Sequence, residues 1–269
     1  TGPSAQTASY VDNNDGSYTV TYSFTAVGSY SMEVSIGGTE VSNSPVSVTV
    51  GPASAEASQC EFSGTGVASG LARQPASFSI VSKDEYGNAL DAGGNSFSVQ
   101  LVGASQWLAG DVTDNNDGTY AVTYTSTVSE AYTISVFLGV TEVPGSGVTS
   151  IVLPDLVNAS TSVAYGAGLS GGNAGAPHSF FVQAKDEYGN LLTSGGDTVA
   201  ANFDVSTSSS LVSDLGNGLY SVTYTIDGAG VFNLDVTLNG DAIQGSPFTG
   251  TIVESTQMLA STCTANGAG

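Results

Sequence analysis

Residues 114–124 read Asp-Asn-Asn-Asp-Gly-Thr-Tyr-Ala-Val-Thr-Tyr, and this stretch predicts a tight turn that leads directly into a β-strand. Asn, Asp and Gly tolerate the positive φ angles that hairpin turns require. After the turn, Tyr120, Val122 and Tyr124 alternate with small or polar residues. A period of two gives a strand one apolar face, so the stretch predicts a half-buried strand of an antiparallel sheet.

The same pattern returns at a fixed spacing along the chain. Residues 12–22 carry the turn and the alternation 102 residues earlier, and a weaker copy occupies residues 215–224. A second motif, Lys-Asp-Glu-Tyr-Gly-Asn, is identical at residues 83–88 and 185–190, again 102 residues apart. The repeating unit is therefore a whole domain of about 100 residues.

Each copy contains several further short alternating runs with turn residues between them, and no stretch has helical periodicity. About seven strands in ~100 residues predict an all-β fold of tandem immunoglobulin-like β-sandwiches, each made of two antiparallel sheets. We number four repeats on this register. Residues 1–50 are expected to be the C-terminal part of a first repeat, 51–152 and 153–252 to be the complete second and third repeats, and 253–269 to start a further repeat. The chain is thus expected to be a window from a longer array.

These motifs resemble the filamin repeat, the immunoglobulin-like module of the filamins. The resemblance rests on the run at residues 114–124 and on a closing Gly-Ser-Pro-Phe at residues 245–248, which reads Asn-Ser-Pro-Val at 43–46. The second repeat departs from this close, with Gly-Ser-Gly-Val at 145–148. The Lys-Asp-Glu-Tyr-Gly-Asn segment resembles the version of the repeat found outside animals. The resemblance covers nearly the whole chain and implies seven-stranded filamin-type sandwiches.

The resemblance also implies rod segments, force-bearing springs, and docking of a partner strand at the exposed edge between the third and fourth strands. The partners implied are other copies of the chain or other structural proteins. In the second repeat this edge would be lined by Phe97, Val99, Leu101 and Val112, and in the third by Val199, Phe203, Val205, Leu211 and Val212. The alternative for each of these residues is that it faces the core between the sheets.

The charge balance is strongly acidic. The chain has 24 Asp and Glu against 3 Lys and Arg, a formal net charge of −21. Such a surface repels phosphate backbones and anionic membrane leaflets, which argues against nucleic-acid binding and direct membrane insertion. It is typical of an extracellular surface with O-linked sugars, of a protein adapted to high salt, or of compositional drift. No apolar stretch reaches the ~18 residues expected of a membrane span.

Catalytic and metal chemistry find little support. His178 is the single histidine and is expected to be a partly exposed residue at a strand end; no nucleophile elbow or phosphate-binding glycine loop is present, so no enzyme is predicted. No cofactor is predicted either. The acidic clusters at residues 12–15 and 114–117 could offer oxygen ligands to calcium, but Asp and Asn also serve hairpin turns for backbone reasons, and we favour the turn.

Three residues carry possible covalent chemistry. Cys60 and Cys263 are predicted to occupy equivalent places in the opening strands of their repeats, with Val163 at that place in the third repeat. They are too far apart in the fold to bond each other, so each is a small buried residue or forms an intermolecular disulfide. Asn158, in Asn158-Ala159-Ser160, is the single N-glycosylation sequon.

The hypothesis we favour is a non-enzymatic structural or adhesive segment of an extracellular or cell-surface filament. The alternative is a rod segment of a cytoskeletal, actin-crosslinking scaffold of filamin type, and a third possibility is an accessory module of a secreted enzyme. The near-absence of Lys and Arg favours the exterior, since cytoplasmic rods carry many Lys residues. The filamin-type repeat also occurs in cell-surface proteins of algae and plants, which fits this composition.

Overall fold

The computed structural model describes residues 2–4 and 8–254, and in these residues the protein is built from β-strands with no α-helix. The only helical elements there are three single 3-10 turns, Ala57–Gln59, Thr65–Val67 and Ala167–Leu169. No helix of this part of the chain is long and apolar enough to cross a membrane. The predicted fold class is confirmed.

Two compact units can be distinguished, and each is described by itself. The first contains the residues up to Gly70 together with Pro75–Thr125 and Ala131–Ile151. The second contains Leu71–Gln74, Ser126–Glu130 and the residues from Val152 onward. Two loop segments of the predicted second repeat are therefore grouped with the residues of the third.

The first repeat contributes three two-stranded pairs, β1 with β2, β3 with β6 and β4 with β5. Its apolar strand face is exposed, with Tyr18 53%, Val20 38% and Tyr22 41% accessible. Among the described residues β2 pairs with β1 alone, so this sheet is a two-stranded ribbon. The strands are β1 Ser9–Asp12, β2 Tyr18–Thr21, β3 Gly28–Met32, β4 Ser35–Ile36, β5 Thr39–Glu40 and β6 Val46–Val50.

The second repeat is a sandwich whose two sheets are joined along one strand. The strand order is β7-β9-β12-β11-β10-β13-β15-β8, with β14 added to β13. The first half of β11 pairs with β10 and its second half pairs with β12, so this strand passes from one sheet to the other. The strands are β7 Glu61–Ser63, β8 Ser69–Leu71, β9 Ala76–Val81, β10 Phe97–Val102, β11 Trp107–Asp114, β12 Thr119–Tyr124, β13 Ala131–Leu138, β14 Thr141–Glu142 and β15 Val148–Leu153.

The third repeat keeps its two sheets separate. One sheet has the order β16-β18-β21-β20 and the other has β17-β24-β22-β19, with β23 added to β22. β19 and β20, the counterparts of β10 and β11, are each the last strand of a sheet among the described residues. The strands are β16 Val163–Tyr165, β17 Gly171–Asn173, β18 Pro177–Gln183, β19 Val199–Phe203, β20 Ser209–Asp214, β21 Leu219–Thr225, β22 Gly230–Leu238, β23 Asp241–Ala242 and β24 Phe248–Val253.

The opening strand of each complete repeat is split in two, and a short extra strand, β14 or β23, is added, so the seven predicted strands become nine. A 3-10 turn divides the opening strand, and the second piece joins the opposite sheet. Glycine is needed in this turn because the chain lies directly against β9 or β18. A Cβ on Gly66 would stand 2.7 Å from the Ser77 carbonyl oxygen, and one on Gly168 would stand 2.5 Å from that of Ser179.

The predicted alternation places tyrosines inside each complete repeat, with every hydroxyl hydrogen-bonded. Tyr120 and Tyr124 are 1% and 4% exposed. The Tyr120 hydroxyl accepts from the Asn95 backbone N–H at 2.9 Å, and the Tyr124 hydroxyl donates to the Gly66 carbonyl at 2.6 Å. A buried tyrosine hydroxyl usually has a hydrogen-bond partner, because burying it unpaired is costly. These bonds therefore hold the rings in place.

Candidate partner-binding edges

The edge predicted between the third and fourth strands is closed in the second repeat. β10 and β11 form an antiparallel pair from Val99 opposite Gly110 to Val102 opposite Trp107. Val99 is 3% exposed and Leu101 is fully buried, so both belong to the core. Phe97 packs its ring 4.7 Å from that of Tyr120. In this structure the edge of the second repeat is thus paired, and Val99 and Leu101 face the core.

Gly110 suits this close approach of β11 to the core. The strand crosses between the sheets at this residue, where a Cβ would lie 3.0 Å from both Val122 Cγ1 and Val99 Cβ. A side chain at this residue would therefore crowd Val99 and Val122. Val112, two residues later, is half-buried and pairs with Val122 rather than with β10. The corresponding residue of the third repeat is Ser210, since Val212 pairs with Val222 in the same register.

The edge is open in the third repeat, where no backbone pairing joins β19 to β20 among the described residues. Val199 is 8% exposed and belongs to the core. Phe203 is half-buried, with its ring 4.6 Å from Tyr224 and 5.7 Å from Phe232. Leu211 is 63% exposed on β20. Val205 and Val212 are partly buried and pack against the core.

The loop between β19 and β20 is held to both sheets, which keeps the two strands apart. The Asp204 carboxylate accepts from the Asn233 backbone N–H at 2.7 Å and from its side-chain amide at 2.9 Å, on β22. These hydrogen bonds hold the pKa of Asp204 below its usual value. At the other end, Ser208 N–H donates to the Thr225 carbonyl on β21 at 2.9 Å. In the second repeat the corresponding loop instead closes a hairpin, with Gly103 N–H bonded to the Gln106 carbonyl at 2.8 Å.

The acidic turns considered for calcium direct their carboxylates at their own backbone. Asp114 accepts from Asn116 N–H at 2.8 Å and from Gly94 N–H at 2.7 Å. Asp117 accepts from the Thr119 hydroxyl and N–H at 2.5 and 2.9 Å, bonds that lower the pKa of this carboxyl. Asp12 and Asp15 bond their turn in the same way. The described residues contain no cluster of three or more acidic, His or Cys side chains suited to a metal. The hydrogen bonds that these carboxylates accept from nearby N–H groups match the turn interpretation.

Cys60 is buried, with 2% of its surface exposed, and its thiol points at two backbone carbonyls. Sγ lies 3.4 Å from the Glu56 oxygen and 3.9 Å from the Lys83 oxygen. Ser162, not Val163 as expected, holds this place in the third repeat. Its hydroxyl bonds the Asn158 and Lys185 carbonyls at 2.7 and 3.5 Å. Cys263 lies outside the described residues.

His178 and Asn158 both take local structural roles. His178 lies near the start of β18, half-buried as expected, with Nε2 3.0 Å from the Asn173 carbonyl and its ring 5.4 Å from that of Tyr224. Asn158 Oδ1 accepts from the Ser160 N–H at 2.9 Å and from its hydroxyl at 2.7 Å. These bonds form a turn at the entry to the third repeat. Glycosylation at Asn158 stays a prediction.

Comparison with known proteins identifies the family. The family model of the Filamin/ABP280 repeat matches residues 1–47, 54–149 and 156–249. The chain belongs to the filamin repeat family. Mouse Filamin-C is 33% identical over 256 residues, which is 92% of this chain and 9% of Filamin-C. Drosophila melanogaster Filamin-A is 30% identical over 245 residues, 90% of this chain and 10% of that protein. The chain thus spans about a tenth of the length of these filamins.

Solved structures share the filamin repeat's sandwich fold at lower identity. The Escherichia coli adhesin FdeC aligns with a TM-score of 0.56 and 20% identity, covering 92% of this chain and 82% of that one. Invasin, a bacterial integrin-binding protein, aligns with a TM-score of 0.55 and 17% identity, covering 90% of this chain and 49% of that one. At these identities the likeness extends to the fold.

Two features of these filamin repeats were not predicted from the sequence. The closed edge of the second repeat has Gly110 where the open edge of the third has Ser210, and a glycine inside a strand was the available signal. The Asn residues that end the two Lys-Asp-Glu-Tyr-Gly-Asn motifs bond a neighbouring turn, and the exact duplication of the motif was the available signal.

Proposed function

We propose that this chain is a non-enzymatic structural and adhesive segment of an extracellular or cell-surface repeat protein, in which filamin repeats supply length and contact surfaces. The observation that carries this proposal is a filamin array with 24 acidic and 3 basic residues. So few Lys and Arg leave the carboxylates largely unbalanced, a state best tolerated where ions screen the repulsion.

Two of the three basic residues are also engaged within the chain. Lys83 Nζ lies 2.6 Å from Glu61, and Arg73 lies 3.5 Å from Glu187 and 3.9 Å from Asp155. These contacts leave little positive charge for an acidic partner. The alternative is a cytoskeletal rod of an actin-crosslinking protein. Such a rod would be expected to offer more free positive charge.

Surface labelling tests the location. An antibody to this chain is applied to intact and to permeabilised cells of the source, and the native protein is analysed by mass spectrometry for sugars on Asn158 and on Ser or Thr. We expect labelling of intact cells and at least one glycan. Labelling that requires permeabilisation, together with an unmodified mass, would contradict the proposal and favour the cytoskeletal alternative.

We further propose that the open edge of the third repeat pairs with a second copy of this chain. β20 offers unpaired backbone groups on its outer side, and Leu211 is exposed beside them. An unpaired strand edge is a template for a further strand, with main-chain hydrogen bonds for affinity and side chains for selectivity. The closed edge of the second repeat cannot act in this way.

Analytical ultracentrifugation distinguishes the outcomes. We expect concentration-dependent dimerisation of the native chain, lost in Leu211→Asp. The control is Leu215→Asp, because Leu215 is 50% exposed in the following turn and off the edge. A native chain that stays monomeric at all accessible concentrations, or dimers that survive Leu211→Asp, would exclude this edge as the assembly site.

A further inference from the structure

The Lys-Asp-Glu-Tyr-Gly-Asn motif forms a loop organised around one buried carboxylate. Asp84 is 1% exposed. It accepts hydrogen bonds from the backbone N–H groups of Ala53, Tyr86 and Asn88 at 2.9 to 3.0 Å. The Asn88 side-chain amide nitrogen lies 3.1 and 2.9 Å from its two oxygens. Charge-assisted bonds of this kind fix the Asn88 side chain in one orientation.

Once fixed, Asn88 bonds a turn of the preceding repeat through that turn's backbone. Nδ2 donates to the Thr25 carbonyl at 2.8 Å, and Oδ1 accepts from the Val27 N–H at 3.2 Å. All these residues lie within the first compact unit. The side chain thus contacts a carbonyl and an N–H two residues apart, a pair that almost any sequence provides.

The same bonds recur in the second compact unit, 102 residues later. Asp186 is fully buried and accepts from the Asp155, Tyr188 and Asn190 N–H groups at 2.9 to 3.0 Å. Asn190 Nδ2 donates to the Thr127 carbonyl at 2.8 Å, and Oδ1 accepts from the Ser129 N–H at 2.9 Å. The bonded turns differ in sequence, Thr-Ala-Val and Thr-Val-Ser, but not in hydrogen bonding. The recognition is therefore of backbone geometry.

The equivalent turn of the third repeat, Asp227-Gly228-Ala229, is exposed at all three residues, whereas Val27 and Ser129 are half-buried. No partner for the Asp227 carbonyl or the Ala229 N–H is found among the described residues. Beside the turn is a groove of about 400 Å³ lined by the β19–β20 loop, the turn itself and Phe232. The turn at residues 227–229 is thus the third of three equivalent turns, and the other two are bonded by Asn88 and Asn190.

We propose that each Asp-Glu-Tyr-Gly-Asn loop is a docking element that joins its repeat to the turn of another repeat. The Asp227–Ala229 turn, with its groove, is then the docking surface for a further filamin repeat that carries the same loop. The buried Asp holds the Asn, and the Asn bonds the carbonyl and N–H of the turn. This proposal does not depend on where the protein is located.

Arg73 adds a charged contact to the second unit's version of the joint. Arg73 has a left-handed backbone, with φ of 71°. The equivalent residue of the third repeat is Gly175, with φ of 72°. A residue with a Cβ is disfavoured there. The guanidinium lies 3.5 Å from Glu187, inside the docking loop, and such exposed ion pairs are weak and screened by salt. Arg73 therefore contributes little to the stability of the joint.

Residue-resolved amide hydrogen exchange tests the existing joints in the full chain. We expect Asn190→Ala to raise exchange of the Ser129 amide about five- to tenfold, the effect of losing one net hydrogen bond, with Val27 unchanged. Asn88→Ala is the matched control and should give the reciprocal result. Amides of β12 and β21 report whether each repeat remains folded. Unchanged exchange at Val27 and Ser129 in both variants would overturn the proposal.

A second experiment tests the free turn without altering any described residue. Residues 155–254 are appended after Glu254, which places a copy of the docking loop in the position that Asn190 has relative to the second repeat. We expect the Ala229 amide to become about five- to tenfold more protected than in the same extended chain carrying Asn→Ala in the appended loop. Equal Ala229 exchange in the two extended chains would refute docking at this turn.

Discussion

Two glycines in one turn of the third repeat separate two physical costs. Gly216 and Gly218 both have left-handed backbones, with φ of 79° and 75°. A Cβ on Gly216 would meet no atom within 4 Å, whereas a Cβ on Gly218 would lie 2.4 Å from the Leu192 carbonyl oxygen and 2.8 Å from its carbon. Gly216→Ala therefore adds backbone strain alone, and Gly218→Ala adds strain and a steric clash.

The magnitudes follow from these geometries. Left-handed strain costs roughly 1–2 kcal/mol for a residue with a Cβ, and it applies to both variants. Displacing a packed segment typically costs a further 1–3 kcal/mol, which applies to Gly218→Ala alone. We therefore expect Gly216→Ala to lower the free energy of unfolding by about 1–2 kcal/mol and Gly218→Ala by about 2–5 kcal/mol.

Urea unfolding followed by far-UV circular dichroism measures the difference. With a slope of roughly 1–3 kcal/mol/M, the midpoint of Gly218→Ala should fall about 1 M below that of Gly216→Ala. Hydrogen exchange in β18 and β21 assigns the transition to the third repeat. A third variant, Gly216→Asn, reproduces Asn116 of the second repeat, which has φ of 62°, and should be nearly neutral. Equal destabilisation by the two alanines would refute the clash argument.

Four further predictions concern buried groups. Tyr124→Phe should cost about 1 kcal/mol, because Ser150 still donates to the Gly66 carbonyl at 3.0 Å. Tyr224→Phe should cost more, since Gly250 replaces that serine, and a pH titration of absorbance should find Tyr224 near its pKa of about 12, raised by burial. Iodoacetamide should modify Cys60 in urea but slowly in the native protein, because burial raises the thiol pKa. Burial alone raises the pKa of Asp84, but hydrogen bonds from Asn88, Ala53 and Tyr86 bring this pKa below 3.8. The stabilisation by the Asp84 carboxylate is therefore present above pH 3.8 and is lost as the pH falls through the lowered pKa. Asp84→Asn should flatten this part of the stability profile measured by urea unfolding.

The sequence predicted the features that depend on local pattern. Alternation at Tyr120, Val122 and Tyr124 identified buried positions correctly, because side chains on one face of a strand share one environment. The same alternation at Tyr18 and Val20 marked a strand but not buried residues, since both side chains are exposed. Alternation reports which residues share a face and not what covers that face.

The candidate edge depended on a contact that alternation does not encode. Phe97 to Leu101 and Val199 to Phe203 are similar strands, yet one is paired on both sides and the other on one side. The difference lies on the opposite strand, where Gly110 lets β11 approach the core and Ser210 replaces it in β20. The apolar residues that line the edge are therefore not enough to predict whether it is paired; the residue of the neighbouring strand and the loop between the strands differ as well.

The repeated motifs have different structural consequences, although they were equally visible in the sequence. The Asp-Asn-Gly turns direct their carboxylates at their own backbone, so they form each repeat by itself. The Asp-Glu-Tyr-Gly-Asn loops direct an amide outward to another turn, so their duplication has meaning only in an array. A period of 102 residues thus contains both a domain and the loop that bonds a turn of the preceding repeat.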